Sequence, residues 1–170
     1  MKKILETNRL LLREFELNDK HSFFELNEDN DVIKYTGDKA FDSVQLAGKF
    51  LKTYTHYQQY GYGRWAVILK DDNTFAGWCG LKFTPATNEV DLGYRFFKKY
   101  WNKGYATEAA IACIHYGFNQ LQLKKIIGRV VNENVASIKV LINAGMKFEK
   151  EIDFDGRKGS CYAISKIENL

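Results

Sequence analysis

Apolar positions along this chain follow two rhythms, and the switches between them mark out its elements. From residue 106 to 121, Ala106, Ala109, Ala110, Cys113, Ile114, Gly117, Phe118 and Leu121 recur at steps of three and four. That spacing predicts a helix resting one broad face on a core. A second stripe, Val44, Ala47, Leu51, Tyr54 and Tyr57, starts behind a cap at Asp42 or Ser43 and stops at Gly61. A shorter helix carries Phe23, Phe24 and Leu26 behind Asn18 or Asp19, and Glu28-Asp29-Asn30-Asp31 breaks it. A fourth is capped by Asn134, buried through Ile138, Leu141 and Ile142, and ended by Gly145. Strands are predicted over residues 9–15, 64–69, 74–83, 89–96, 125–131, 147–154 and 160–167, with turns at 71–73, 84–88 and Asp155-Gly156. Gly77 and Gly80 predict a bulge or a close backbone approach inside their strand. The order is a strand, two helices, three strands, a helix, a strand, a helix and two strands. It predicts a mixed sheet with helices on its faces, an α/β layer fold.

Length and composition narrow the class. A chain of 170 residues suits one domain with a full two-layer core. No apolar run approaches the length of a bilayer span, and Met1-Lys2-Lys3-Ile4-Leu5-Glu6 lacks the apolar core of a signal peptide. Cys79, Cys113 and Cys161 are an odd number, far apart and without metal-ligand spacing, which predicts reduced thiols in a cytoplasm. His21, His56 and His115 are scattered, so no metal is expected. The net charge of +4 is spread over mixed Lys and Asp/Glu, a solvated surface and not a nucleic-acid footprint.

The chemistry concentrates in Tyr100-Trp101-Asn102-Lys103-Gly104-Tyr105-Ala106-Thr107-Glu108-Ala109-Ala110, between a strand and the best-patterned helix. A helix start exposes four backbone N–H groups at the positive end of its dipole. Gly104 has no Cβ to hold a ligand away from them, Ala106 adds only a methyl, and Lys103 brings a cation. This predicts a site for a phosphate-bearing ligand. Neither a Gly-Lys-Ser/Thr loop nor a Gly-x-Gly-x-x-Gly fingerprint is present, which disfavours other nucleotides.

The string from Gly93-Tyr94 to Tyr100-Trp101-x-Lys103-Gly104-Tyr105-Ala106-Thr107-Glu108-Ala109 resembles the acetyl-CoA-binding segment of the GNAT acetyltransferase superfamily. It looks most like the Rim-type branch of ribosomal-protein N-terminal acetyltransferases. Thr7-x-Arg9-Leu10-x-Leu12-Arg13 resembles the opening of such chains, and Asn132-x-Asn134-x-x-Ser137 with Ala144-Gly145-Met146 resembles their second cofactor motif. The resemblance spans nearly the whole chain. It implies a mostly antiparallel sheet whose two central strands splay apart, helices on both faces, and acetyl-CoA as co-substrate without a metal. By the same resemblance, Tyr94, Phe96 and Phe97 lie along the cofactor at the strand end. Trp101, Asn102, Lys103, Gly104, Tyr105, Ala106 and Thr107 surround the pyrophosphate. Asn132, Asn134 and Ser137 follow the pantetheine, although Asn134 also suits a plain helix cap.

The resemblance implies transfer of the acetyl group to a primary amine by direct attack in a ternary complex. The acceptor is a protein N-terminus or a small molecule, with one wall of its groove made by the two helices that follow the first strand. A carboxylate on the central strand suits the role of general base: Asp91, with Glu89 in reserve on the same face by strand alternation. Many members carry a tyrosine seven residues after the motif asparagine as acid for the leaving thiolate. Here that position is Leu141, and Ser137, one turn earlier, becomes the candidate. A coenzyme-A-binding module without turnover is the alternative of a different class. Acceptor identity, and whether the chain is a monomer or a homodimer, stay open.

Overall fold

A computed structural model describes residues 2–154 and 156–166. In chain order it contains β1 (Lys3–Glu6), β2 (Leu10–Arg13), α1 (Lys20–Glu28), α2 (Asn30–Ile33), α3 (Val44–Lys52), α4 (His56–Tyr60), β3 (Arg64–Leu69), β4 (Phe75–Thr84), β5 (Glu89–Phe96), α5 (Tyr105–Asn119), β6 (Lys125–Val131), α6 (Val135–Asn143), β7 (Lys147–Phe154) and β8 (Arg157–Ser165). The strands form one eight-stranded sheet in the order β1-β2-β3-β4-β5-β6-β8-β7. Every neighbouring pair is antiparallel except β5 and β6.

Alternation along β3 shows why both faces need helices. Trp65, Val67 and Leu69 enter one apolar cluster, while Ala66 and Ile68 enter another on the opposite face. The first cluster is closed by α5 through Ala109, Ala110, Cys113 and Ile114, with Ala106, Phe118 and Leu121 packed at its margin. The predicted apolar stripe is therefore the buried face. The second cluster is closed by Phe23 and Leu26 of α1, Val32 of α2, and Ala47 and Leu51 of α3. Arg13, 8% exposed, ties this layer to the sheet through a two-pronged pair with Asp19, at 2.6 and 2.7 Å. Asp19 thus precedes α1 as expected, but its carboxylate holds Arg13 and does not cap the helix.

Several expected boundaries move. β1 was not expected: its four residues, Lys-Ile-Leu-Glu, put adjacent apolar residues on opposite faces and show no alternation. It stands at the sheet edge, with Lys3 opposite Arg13. The helix expected across Val44 to Tyr57 is two helices. Thr53 ends α3, bonding back from its hydroxyl to the Lys49 carbonyl at 3.0 Å. Tyr54 then sends its hydroxyl to the sheet, where it accepts from the Arg64 amide at 2.7 Å. Ser43 is the cap of α3, accepting from Leu46. In β4, Val67 pairs with Gly77 and Ile68 with Phe75, so Ala76 is the extra residue of the predicted bulge. The last strand begins at Arg157, and Phe154 pairs with Arg157 across the expected turn. Asp155 of that turn and Ile167 of the predicted strand end lie outside the described residues.

Candidate active site

The site grows from the single parallel junction. β5 and β6 are eight and seven residues long yet share one register pair, Asp91 with Ile127, and beyond it they separate. On its other edge β5 is fully paired with β4, and the Phe97 amide continues that ladder to the Ala76 carbonyl at 3.1 Å. Antiparallel ladders alternate, so the backbone groups of Tyr94 and Phe96 point away from β4, into the opening. The Phe96 carbonyl there accepts the Trp101 indole N–H at 2.8 Å, tying the following loop to the strand end. The Phe96 side chain is in the core and Phe97 packs with the opposite cluster, so at these two positions only the Phe96 backbone faces the opening.

The loop reaches α5 through two left-handed residues, Asn102 at φ 59° and Gly104 at φ 79°. Asparagine tolerates that region and glycine enters it without cost, which suits a turn that must deliver the chain directly into a helix. Gly104 is the N-cap and offers no side chain, so the N–H groups of Gly104, Tyr105, Ala106 and Thr107 find no acceptor among the described residues. Lys103 stands exposed beside them. Free donors, a bare Cα and a nearby cation are what a pyrophosphate requires.

A clamp that sequence reasoning missed holds this loop. Glu108, in the first turn of α5, accepts from the Thr7 hydroxyl at 2.5 Å, the Arg9 amide at 3.0 Å and Arg9 Nε at 2.6 Å. Arg9 in turn donates to the Lys103 carbonyl at 3.0 Å and lies 4.3 Å from the Tyr105 ring centroid. Burial pulls the Glu108 carboxyl up, but the bonds from Thr7 and Arg9 outweigh it and hold the group below its ordinary value. The residues were visible in the quoted strings, but nothing local in the sequence joins Arg9 to Glu108, 99 positions away.

Across the opening, Asn134 Oδ1 accepts from the Ser137 amide at 3.1 Å and caps α6. Ser137 meets the Tyr94 hydroxyl twice, at its carbonyl (2.9 Å) and its Oγ (2.8 Å). Burial raises the Tyr94 phenol, only partly opposed by the Ser137 contact, so it keeps its proton across the physiological range. Asn132 Oδ1 accepts from the Ser160 hydroxyl at 2.8 Å. Leu141 is fully in the core.

The opposite face of β5 carries the acids. Asp91 Oδ2 accepts from Arg64 Nη2 at 2.5 Å, and Arg64 Nη1 bonds the Asp91 and Gly80 carbonyls. The guanidinium lies directly on Gly93, where any Cβ would stand 2.6 Å from Cζ. Glu89 pairs with Arg129. Burial raises its carboxyl, while Thr87 and Arg129 together bring it below the ordinary value. Beside Arg64 opens a cavity of about 300 Å³ between β3–β5 and the α1–α3 layer. Phe23, Phe41, Phe50, Tyr54 and Trp78 line it, with Arg64 and Arg95 in its floor. Sequence reasoning placed the acceptor wall in these helices and named Phe23 and Tyr54 on their apolar stripes, but gave no residue a role in the wall.

Asp91, Glu89 and this cavity therefore share one face, Tyr94 and Ser137 the other, and the opening runs between them to Gly104. The acetyltransferase (GNAT) domain family matches residues 9–147. The chain belongs to the GNAT family. Like its relatives it is an acetyl-CoA-dependent acyltransferase. It is 32% identical over 160 residues to a Bacillus licheniformis protein named as an uncharacterized N-acetyltransferase, p20, covering 91% of this chain and 89% of that one. The crystal structure of a GNAT-family acetyltransferase from Bacillus anthracis is 30% identical, with a TM-score of 0.82 over 95% of this chain and 97% of that one. RimL, the ribosomal L7/L12 alpha-N-protein acetyltransferase in complex with coenzyme A, shares the fold at 15% identity. Its TM-score is 0.82, over 96% of this chain and 98% of that one. Among the described residues, no helix of this GNAT enzyme is long and apolar enough to cross a membrane.

Proposed function

We propose that residues 1–170 form one acetyltransferase domain that passes the acetyl group of acetyl-CoA to a primary amine held with it in a ternary complex. The observation that carries this reading is the opening between β5 and β6, which leads from the Asp91–Ile127 junction to uncapped amides at Gly104. In this reading the amides of residues 104–107, with Lys103, hold the pyrophosphate. The free backbone of Tyr94 and Phe96 pairs with the pantetheine as an added strand. Asn134 and Asn132 stand where β6 gives way to α6 and keep their side-chain N–H groups for the same arm.

Acetyl-CoA supplies an activated acetyl group, and the chain's own residues manage the protons. Asp91 takes the proton of the attacking amine, directly or through water, while Arg64 fixes the orientation of the carboxylate. Glu89 is the reserve base, although Arg129 already engages it. The Ser137 and Tyr94 hydroxyls keep a proton within reach of the departing sulfur. The reading is tested by titrating coenzyme A calorimetrically into the protein and by measuring thiol release from acetyl-CoA with a panel of primary amines. Binding together with amine-dependent release is expected. Binding without release for any amine would leave a coenzyme A receptor and remove the transfer chemistry.

A further inference from the structure

The cavity beside Arg64 says more about the acceptor than its position. At about 300 Å³ it stands at the lower bound for small-molecule sites, room for one ring-sized body. Its wall is aromatic and continuous. Phe23 and Phe50 stack at 5.4 Å, and Phe41 leans on each of them at 5.8 Å. Tyr54 closes the row, 5.9 Å from Phe50. Phe50 is 40% exposed in spite of this company, so the wall presents apolar surface that the fold itself does not cover.

An aromatic wall can recognise a cation or a flat apolar group, and the floor decides between them. Arg64 and Arg95 lie 5.6 and 5.3 Å from the Trp78 ring centroid, so the cation sites of that ring are already taken by the protein. Lys39, Arg64 and Arg95 line the cavity; Asp38, the single lining carboxylate, pairs with Arg95, and Asp91 pairs with Arg64, so among the described residues Lys39 is the lining cation without a carboxylate partner. A ligand with a second ammonium would enter a positive field. The charged side chains Lys39, Arg64 and Arg95 carry only N–H donors, which favours a ligand that brings oxygen acceptors.

Building on the transfer reading above, we propose that the acceptor is an α-amino group flanked by an aromatic side chain and a carbonyl or carboxylate oxygen. It comes from a free aromatic amino acid or the first residue of a short peptide, and polyamines are rejected. An α-amino group also titrates near 8, so more of it is neutral at cellular pH than of an alkylamine near 10.4.

The test uses the full chain. Coenzyme A binding is first established by calorimetry, and thiol release is then measured with L-phenylalanine, phenylalanyl-glycine, 2-phenylethylamine and spermidine. The expected result is kcat/KM at least tenfold higher for L-phenylalanine or phenylalanyl-glycine than for spermidine, with 2-phenylethylamine between. The better of the first two identifies the source. Phe50→Ala, a change at a partly exposed position, should lower kcat/KM for the aromatic acceptor about tenfold while leaving coenzyme A affinity unchanged. Coenzyme A binding with spermidine preferred, or an unaltered phenylalanine-to-spermidine ratio in Phe50→Ala, overturns this proposal and spares the transfer reading. Absence of coenzyme A binding removes both.

Discussion

Gly104, at φ 79°, leaves a space in which a Cβ would stand 3.4 Å from Arg9 Nη2. Valine there pays the left-handed penalty, about 1–2 kcal/mol, and sets a branched side chain beside the free amides. Gly104→Val is expected to lose at least tenfold in acetyl-CoA affinity by calorimetry, about 1.4 kcal/mol, with a native circular dichroism spectrum. Gly104→Asn, which accepts the backbone angle, separates bulk from strain. The two acids of β5 are distinguished in the same way. Asp91→Asn should slow turnover roughly a hundredfold at neutral pH and recover in part at alkaline pH, where the amine loses its proton unaided. Glu89→Gln should change little, because Arg129 and Thr87 already occupy that carboxylate. On the other face, Ser137→Ala is expected to slow single turnovers about tenfold to a hundredfold, with a smaller effect on acetyl-CoA binding. Burial raises the Tyr94 phenol, so the wild-type rate should show no fall near its ordinary pKa of about 10.

Elements are held in place by a few long-range ties, and the tie between α5 and the segment leading into β2 is the one that bears on the site proposed for the cofactor. Glu108→Gln should keep the helix, weaken the hold on Thr7 and Arg9, and raise the KM for acetyl-CoA. Losing a charge-assisted bond of this kind costs about 2 kcal/mol. The pH dependence has a definite sign. The Glu108 carboxyl lies lower in the folded chain than in the unfolded one, so its stabilisation is complete above the ordinary glutamate value, about 4.3, and disappears as pH falls through the lower folded value. Urea titrations should therefore separate wild type from Glu108→Gln at pH 7, and the gap should narrow as the pH falls below the ordinary glutamate value, about 4.3. α5 itself was legible in the sequence, because a fifteen-residue helix with an unbroken stripe repeats its signal at every turn. The helix expected across residues 44–57 was not, since the stripe continues through Tyr54 and Tyr57 while the axis does not. Tyr54 answers to the Arg64 amide of the sheet, a demand that helical periodicity does not encode.

For the molecule as a whole, the two core faces of strands such as β3 follow from alternation, whereas the strand order, the edge strand β1 and the cavity beside Arg64 do not. Its floor unites Arg64, Trp78 and Arg95, each an ordinary strand residue in the sequence, and Arg64 meets Asp91 across 27 positions. Pairings of that kind are made by sheet register and leave no local mark. The opening between β5 and β6 carries a global expectation too. Coenzyme A should slow amide hydrogen exchange at Tyr94, Phe96 and residues 104–107 together, while the paired β7–β8 hairpin stays unchanged. The Trp101 tether has one more consequence. Its indole N–H is fixed to the Phe96 carbonyl while the ring remains 42% exposed at the phosphate loop, and Trp65 is sealed in the core at 0%. Trp101 is thus a built-in fluorophore at the end of the site proposed for the cofactor, set against a solvent-shielded internal standard in Trp65, and Trp78 is its counterpart in the lining of the cavity proposed for the acceptor. Stopped-flow emission from Trp101→Phe and Trp78→Phe variants would time the arrival of each substrate separately, and so give the binding order without any added label.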